Sequence, residues 1–349
     1  MKRRLPLLVL PTILALGACG GAASGDGAGS DGDPALEVSA AFYPLQWAAE
    51  QVGGDLVAVE PLTKPGAEPH DLELTPQDVA GMASSDVVLY LAGFQPAVDD
   101  AVDTEAADAG YDVSPEADLT LAATDDGHDH GHDHEGETAE EHAEHADEDG
   151  HDHEGETAEE HAEHADEDGH DHAGAEGVDP HFWLDPVRLQ GVVTAIGERF
   201  AEADPDHAED YRANAEATVA ELATLDEEFA DGLAQCRSDE LVTGHAAFAY
   251  LADRYGLSQE GIAGLSPDAE PDAATLRELV EHVEEHDVST IYSETLVSPA
   301  LAETVARETG TEVAVLDPVE GLTDASAGSD YLEVMRSNLA VLQDGQQCT

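Results

Sequence analysis

The sequence predicts an α/β protein of two lobes with parallel sheets, joined by a long rigid helix. Short β-rich apolar runs alternate with helical patterns from Leu36 onward, and the same alternation returns after residue 240. Strands separated by helical patterns are typical of βαβ units and parallel sheets. One long stretch of apolar residues at helical spacing lies between the two series. With 349 residues and 41% hydrophobic content, the chain can form a core in each lobe.

The first series predicts an N-terminal lobe over residues 36–205. Between its second and third strands, Thr75 is a good helix N-cap because its hydroxyl can accept a backbone N–H. Pro76 suits the first helical position, and Asp78 favours the positive end of the helix dipole. The strand-like runs are ALEVSAAF (35–42), LVAVEPL (56–62), DVVLYLAG (86–93) and LTLAAT (119–124).

A linking helix is predicted from Asp206 to Gln235. Asp204 and Pro205 before it supply a cap and a first-turn proline. At about 1.5 Å per residue the helix is about 45 Å long, enough to form a rigid strut between two lobes. Its apolar residues at helical spacing are Tyr211, Ala215, Leu222, Leu225, Phe229 and Leu233.

The second series predicts a C-terminal lobe over residues 236–349. Its helices are expected over 246–255, from near Asp272, after Pro299, and from Ser329 to Leu342. The runs that predict strands between them are LVT (241–243), GIAG (261–264), STIYS (289–293) and EVAVL (312–316).

The first nineteen residues have the pattern of an export signal. Three basic residues precede an apolar run from Leu5 to Leu16, which is too short to form a stable membrane span. The following Leu-Gly-Ala-Cys ends at Cys19 and is similar to the lipobox of bacterial lipoproteins, in which the new N-terminal cysteine carries the lipid. An ordinary signal peptide that contains a cysteine is the alternative. Residues 20–35 are rich in glycine, serine and aspartate and predict a flexible tether. We therefore expect an extracytoplasmic protein that is lipid-anchored to the cell membrane, or a periplasmic one.

The chain is strongly acidic, with 79 acidic residues against 12 basic ones. Such a surface repels nucleic acid and attracts cations, so a role in DNA or RNA binding is excluded. The segment 124–176 lies between LTLAAT and the stretch VDPHFWLDP (178–186), and it has almost no apolar residues. Because it cannot bury enough apolar surface to offset the entropy of ordering, we expect a disordered insertion.

Histidine is concentrated in this insertion, where nineteen residues (131–149) are repeated without change at 150–168. Twelve of the eighteen histidines lie there: His128, His130, His132, His134, His142, His145, His151, His153, His161, His164, His170 and His172. Tandem copies of such composition indicate a loop whose composition matters more than its shape.

Besides Cys19, the exported chain has two cysteines, Cys236 and Cys348. In an oxidising compartment an even pair favours one disulfide that clamps the C-terminal segment. A metal–thiolate pair is the alternative, although no CxxC spacing supports it.

Three histidines outside the insertion share a context. His70 follows the second strand, His245 directly follows LVT, and His181 lies in VDPHFWLDP. Ligands of open α/β sheets bind beyond the carboxyl ends of the strands, so these residues fit one site in the cleft between two lobes. Three unrelated loop histidines are the alternative.

Carboxylates can be found by the same rule. Asp317 and Glu320 follow EVAVL, and Glu294 follows STIYS. Three neutral imidazoles and one carboxylate suit tetrahedral zinc, whereas manganese prefers more oxygen ligands.

The stretch HVEEH (282–286) matches the inverted zinc-protease pattern, with Glu285 as the base. However, its helix has apolar residues on one face and places His282 and His286 on the polar face. His207, at the start of the linking helix, is expected on the solvent face. With no Ser-His-Asp or Cys-His arrangement and no phosphate-binding loop, the sequence predicts that the chain is not an enzyme.

From about Leu36 to Cys348 the chain resembles the zinc-binding solute-binding lipoproteins of bacterial ABC importers. The motifs that carry the resemblance are EPHDLELTPQD, DPHFWLDP, VTGHAAFAYLADRYGL, YSETLVSPALAETVARETG and VLDPVEGLT. A histidine-rich acidic insertion at this place is also typical of the zinc branch.

The resemblance implies that His70, His181 and His245 bind Zn²⁺ as cargo. Manganese-binding relatives carry a carboxylate at the position of His245, which favours zinc here. For the fourth ligand it implies Glu320, with Asp317 as the second choice and Glu294 in a supporting role.

The implied function is capture of extracytoplasmic Zn²⁺ and its delivery to a membrane ABC permease by a monomer whose lobes close little. A secreted zinc hydrolase and an extracellular metal buffer or adhesin are the alternatives. The insertion would then be a low-affinity zinc collector or sensor, with a solvated spacer as the alternative.

Overall fold

The computed structural model describes residues 34–122, 177–267, 269 and 271–349. The export signal with Cys19, the tether up to residue 33 and the histidine-rich insertion lie outside the described residues. None of the described helices combines the length and apolarity that a membrane span requires.

The first sheet has four parallel strands in the order β2-β1-β3-β4. Central β1 pairs on both sides, with Val38 opposite Val59 on one neighbour and Val87 on the other. The chain therefore crosses to opposite sides of β1, which creates a topological switch point at its carboxyl end. The strands are β1 (Leu36–Ala40), β2 (Val57–Pro61), β3 (Val87–Tyr90) and β4 (Gly110–Asp112).

Helices cover this sheet, and α2 begins as the sequence predicts. The Thr75 hydroxyl accepts from the backbone N–H of Asp78, and the Asp78 carboxylate accepts from the backbone N–H of Thr75, which forms a capping box. The helices are α1 (Tyr43–Gly53), α2 (Pro76–Met82), α3 (Pro96–Glu105), α4 (Ser114–Ala117) and α5 (Pro186–Ala203).

The linking helix α6 spans Ala208–Gly232, shorter than predicted by two or three residues at each end. Residues 205–207 form a separate 3₁₀ turn because Asp204 bonds to His207 Nδ1 at 2.5 Å and to the Tyr211 hydroxyl at 2.9 Å. All six predicted apolar residues of the helix are buried. Helix α6 packs along α5, where a Cβ on Gly197 would lie 2.8 Å from Ala215 Cβ. Glycine at 197 therefore permits this close approach.

The second sheet repeats the arrangement of the first, with four parallel strands in the order β6-β5-β7-β8. Its strands are β5 (Glu240–Thr243), β6 (Ser258–Gly261), β7 (Thr290–Ser293) and β8 (Glu312–Val315). Its helices are α7 (Ala249–Tyr255), α8 (Ala273–Glu285), α9 (Ala300–Thr309) and α10 (Tyr331–Gly345).

Two predicted strands are wrong in position or kind. The strand expected over 261–264 lies at 258–261, where the edge strand β6 pairs on one side only and needs few apolar residues. The run LTLAAT forms no strand within its described part. It contributes only an isolated antiparallel bridge from Ala122 to Val178, which brings together the two described segments on either side of the insertion.

A shared apolar core connects the two lobes. Trp183 lies in the 3₁₀ turn Phe182–Leu184, and its indole Nε1 donates to the carbonyl of Pro318 at 2.8 Å. The Tyr331 hydroxyl donates to the carbonyl of Trp183 at 2.6 Å, and its ring lies 4.7 Å from that of Trp47. A disulfide joins Cys236 to Cys348 at the far end of the second lobe.

Candidate metal centre

Four side chains from four separate segments converge where the sheets face each other. His70 lies in the loop between β2 and α2, and His181 immediately precedes the 3₁₀ turn Phe182–Leu184. His245 follows β5 by two residues, and Glu320 follows β8 by five. The structure thus brings together the four residues that the resemblance singles out.

The separations between the four candidate ligand atoms match a tetrahedral ion. Nε2 of His70 lies 3.2 Å from Nε2 of His181. Oε1 of Glu320 lies 3.4 Å from Nε2 of His70, 3.2 Å from Nε2 of His181 and 3.3 Å from Nε2 of His245. Four ligands at about 2.1 Å from a tetrahedral zinc are about 3.4 Å apart. A zinc ion therefore fits among these atoms.

Burial makes this arrangement unfavourable for the protein alone. The side chains of His181, His245 and Glu320 are at most 1% exposed, while that of His70 is 13% exposed. Among the described residues, Nε2 of His245 and both carboxylate oxygens of Glu320 have no hydrogen-bond partner. Leaving a buried polar group without a partner costs about 1–3 kcal/mol, and more for a charge. A bound cation would satisfy Nε2 of His245 and Oε1 of Glu320.

Two further carboxylates orient the imidazoles. Asp179 Oδ1 contacts Nδ1 of His181 at 2.7 Å and accepts from its backbone N–H at 2.8 Å. Glu294 Oε2 contacts Nδ1 of His245, and its Oε1 accepts from the backbone N–H of His245 at 2.7 Å. When Nδ1 donates a proton to a carboxylate, Nε2 is the free lone pair, and this arrangement is common in metal sites.

Asp317 and Glu320, the two acidic residues of the loop that follows β8, have different roles. Asp317 Oδ1 accepts from the backbone N–H of Val319, and Oδ2 accepts from the Ser326 hydroxyl at 2.8 Å. Asp317 therefore braces its own loop and does not join the cluster, in contrast to Glu320. Val319 is held at φ 58°, which is strained for a β-branched residue and costs about 1–3 kcal/mol. The strained residue directly precedes Glu320.

Without a metal, the carboxylates of the cluster raise the pKa values of two of its histidines. Burial alone would lower the pKa of His245, but Glu294 and Glu320 outweigh it and raise that pKa well above its ordinary value. The pKa of His181 is also raised, because Asp179 and Glu320 outweigh its burial. Burial lowers the pKa of His70.

The three histidines lower the pKa of Glu320. Burial alone would raise its pKa, but His245 and contacts with the other two histidines hold it well below its usual range. A divalent ion would therefore displace protons from imidazoles while it pairs with a carboxylate that is already charged.

Two neighbours of the cluster were not singled out from the sequence. Burial and the charge of Glu320 raise the pKa of Glu68 to about 8, and its Oε1 accepts from the backbone N–H of His70 at 3.1 Å. Asp179 stands two residues before His181, and that spacing is the signal that could have identified it. In an acidic chain, neither carboxylate stands out by composition.

The other described histidines, His207, His282 and His286, lie away from this centre. His207 is paired with Asp204 and is 40% exposed. His282 and His286 face Glu240. Glu285 is exposed and lies outside that group, so the inverted zinc-protease arrangement is not assembled.

Comparison with known proteins gives a consistent result. The family model described as the periplasmic zinc-uptake complex component A, ZnuA, matches residues 38–345. The high-affinity zinc uptake system protein ZnuA of Bacillus subtilis is 33% identical over 339 residues, covering 97% of this chain and 95% of that protein. The zinc-binding lipoprotein AdcA of Streptococcus pneumoniae is 34% identical over 349 residues, and the match spans 61% of its length.

Solved structures share this architecture. The Zn(II)-bound ZnuA-like domain of pneumococcal AdcA has a TM-score of 0.65 at 33% identity, covering 89% of this chain and 98% of that domain. The laminin-binding protein of Streptococcus agalactiae has a TM-score of 0.69 at 28% identity, covering 89% and 99% of the two chains. The matched family model extends over both lobes and all four candidate ligands, and the chain therefore belongs to the ZnuA family of zinc-uptake components.

Proposed function

We propose that this chain is an extracytoplasmic receptor that captures Zn²⁺ as cargo and delivers it to an ABC permease. The observation that carries the proposal is the buried group of three imidazoles and one carboxylate at tetrahedral spacing. The relatives named as zinc-binding or zinc-uptake proteins support the choice of metal. The name of the lipoprotein AdcA also supports a lipid anchor on this chain at Cys19, a position outside the described residues.

The ligand chemistry favours zinc over manganese. His70, His181 and His245 offer nitrogen, and Glu320 offers a single nearby oxygen, whereas manganese prefers more oxygen. A receptor that only carries its cargo needs no open coordination position. The four protein atoms can complete a tetrahedral shell, and a zinc hydrolase would instead need room for an activated water. We therefore propose a transport receptor and not an enzyme.

The domain assignment made from the sequence forms part of this proposal. The first sheet supplies the lobe at 36–205, the second sheet supplies the lobe at 236–349, and α6 connects them. Because both lobes contribute ligands, neither would bind zinc tightly alone. The histidine-rich insertion (124–176) would act as a weak collector beside the tight site, and it lies outside the described residues.

The experiment is a competition measurement of zinc affinity and stoichiometry on the chain from Gly20, with and without residues 124–176. We expect one tightly bound zinc that survives the deletion and is lost in His245→Ala. His207→Ala is the matched control, because it removes a histidine that pairs with an acid outside the cluster. Tight binding that vanishes with the insertion and ignores His245→Ala would refute the proposal.

Delivery is tested separately from binding. Cells that produce the wild-type chain and its permease should accumulate zinc faster from zinc-poor medium than cells with His245→Ala. If uptake is equal while the purified variant has lost its zinc, the chain is a metal buffer or adhesin and not a transport receptor.

A further inference from the structure

A second group of metal-binding side chains lies at the opposite end of strand β5. Glu240 is the first residue of β5, whereas His245 follows the other end of the strand. Two histidines from the C-terminal turn of α8 reach Glu240: His282, and His286 at the helix C-cap. This group is separate from the interlobe cluster and shares no residue with it.

The geometry of the group suits a divalent cation. Nε2 of His282 lies 3.2 Å from Oε2 of Glu240, and Nδ1 of His286 lies 3.2 Å from Oε1. The two rings stack with centroids 4.3 Å apart and an interplanar angle of 26°. Residues four apart on a helix share a face, so one ion can reach both imidazoles. These two separations run to different oxygens of Glu240, and one ligand atom from each of the three residues lies within 4.8 Å of the other two.

Glu240 is fixed before any ion arrives. Its backbone carbonyl accepts from Nε2 of Gln346 at 2.7 Å, and its backbone N–H donates to the Ser238 hydroxyl at 3.3 Å. The nearby disulfide between Cys236 and Cys348 ties the segment before β5 to the C-terminus. These bonds use backbone atoms and leave the carboxylate free to face the histidines.

The surroundings are open and mainly acidic. A cavity of about 580 Å³ adjoins the group, and Glu240 and His286 form part of its wall. Its other charged lining residues are Arg237, Asp239, Glu284 and Asp287. Because the side chains of His282 and His286 are 28% and 43% exposed, an ion here would keep contact with solvent.

We infer that Glu240, His282 and His286 form a second binding site for zinc or a similar divalent transition metal. Two imidazole nitrogens and a carboxylate match this class of cation, and the remaining coordination positions would face the cavity. With three protein ligands and solvent access, the site binds more weakly than the interlobe cluster. It goes beyond the proposed receptor function and does not depend on it.

The test is a Zn²⁺ titration of the full chain, followed by nuclear magnetic resonance of ¹⁵N-labelled histidine side chains. His282→Ala and His286→Ala assign the signals. We expect His245 to respond to the first equivalent of zinc, and His282 Nε2 and His286 Nδ1 to shift together as more is added. Glu240→Gln, which retains the backbone bonds of Glu240, should move the midpoint of their shift at least tenfold higher. His207→Ala should leave it unchanged.

Two outcomes would overturn this inference. The His282 and His286 signals could stay unchanged while zinc saturates the rest of the histidines, which would leave only an ion pair between Glu240 and these residues. Alternatively, the midpoint could be equal in wild-type and Glu240→Gln, which would exclude the carboxylate as a ligand. Failure of the proposed receptor site would instead appear as an unresponsive His245.

Discussion

Replacing Glu294 by glutamine tests whether the orientation of His245 controls zinc affinity. Glu294 is buried and accepts from both the backbone N–H and Nδ1 of His245. Glutamine has the same shape, and its amide oxygen can still accept from the backbone N–H. Its NH₂ group then faces Nδ1 and donates to it. The imidazole is consequently driven to the tautomer that carries its proton on Nε2, the atom that faces Glu320.

The expected loss of zinc affinity follows from this tautomer change. Removing a carboxylate that orients a metal-binding histidine typically costs 10–100-fold in metal affinity, or about 1.4–2.7 kcal/mol. The fold should persist, because the substitution adds no volume beside Gly244, where a Cβ would already lie 2.7 Å from Glu294 Oε1.

The assay is competition against a high-affinity chelator, so that weaker histidine sites do not contribute. Glu303→Gln on α9 is the matched control, because that carboxylate is exposed and lies outside the group of metal-binding side chains. An affinity within twofold of wild type for Glu294→Gln, with an unchanged free energy of unfolding, would refute the role of Glu294 in orienting His245.

Zinc affinity should fall as pH falls, by about tenfold per pH unit for each proton displaced, because the raised pKa of His245 means that an ion competes with protons. Calorimetry in buffers of different ionisation enthalpy counts those protons, and no proton release at pH 7 would contradict this expectation. The stability of the metal-free chain should have the opposite pH dependence and increase as pH falls. A raised folded-state pKa contributes stability below the unfolded value of about 6.5, and that stability is lost as pH rises through the folded value. Chemical unfolding should therefore show a greater gain in stability from pH 8 to pH 6 for wild type than for His245→Ala, and equal gains would contradict this. Gly197→Ala should destabilise the chain by about 1–3 kcal/mol through its clash with Ala215 in α6. Gly81→Ala, whose Cβ would meet nothing within 4 Å, should stabilise it by about 0.5–1 kcal/mol. Equal effects of these two glycine substitutions in thermal unfolding would refute the close packing of α5 on α6.

The sequence predicts the central strands well because burial on both faces demands apolar residues. Strands β1, β3, β5 and β7 are therefore visible as apolar runs. The edge strand β4 is three residues long, and β6 reads Ser-Gln-Glu-Gly, so neither has an apolar pattern. Each of these edge strands is stabilised by pairing with one neighbouring strand, and such pairing cannot be predicted from the residues of the strand itself.

Helix α5 is not among the helices predicted above, although its sequence contains the necessary signals. Asp185 caps it and Pro186 occupies the first position. Its buried residues recur at helical spacing and are Leu189, Val192, Val193, Ile196 and Phe200. The Asp-Pro pair that begins this helix closes the VDPHFWLDP stretch, so the helix is recognisable from the sequence.

The candidate site was predictable in location but not in its full composition. His70 and His245 follow strands, and the switch-point rule places such residues together. The same rule could not choose between Asp317 and Glu320, because both follow β8. That choice depends on the hydrogen bonds that Asp317 makes to Val319 and Ser326, which are a property of the folded loop.

The hydrogen bond from Trp183 to Pro318 explains how ligands from two lobes keep one geometry. Trp183 stands two residues after His181, and Pro318 stands two residues before Glu320. Their buried bond therefore fixes the distance between the ligand segments of the two lobes independently of any metal. Within the second lobe, Glu294 fixes His245 through its backbone N–H and Nδ1. Only His70 has an appreciable solvent-exposed fraction, and its loop has no such link to the second lobe among the hydrogen bonds described above. Three ligands thus form a rigid base, and the more exposed fourth ligand lies on the solvent-facing side of the site.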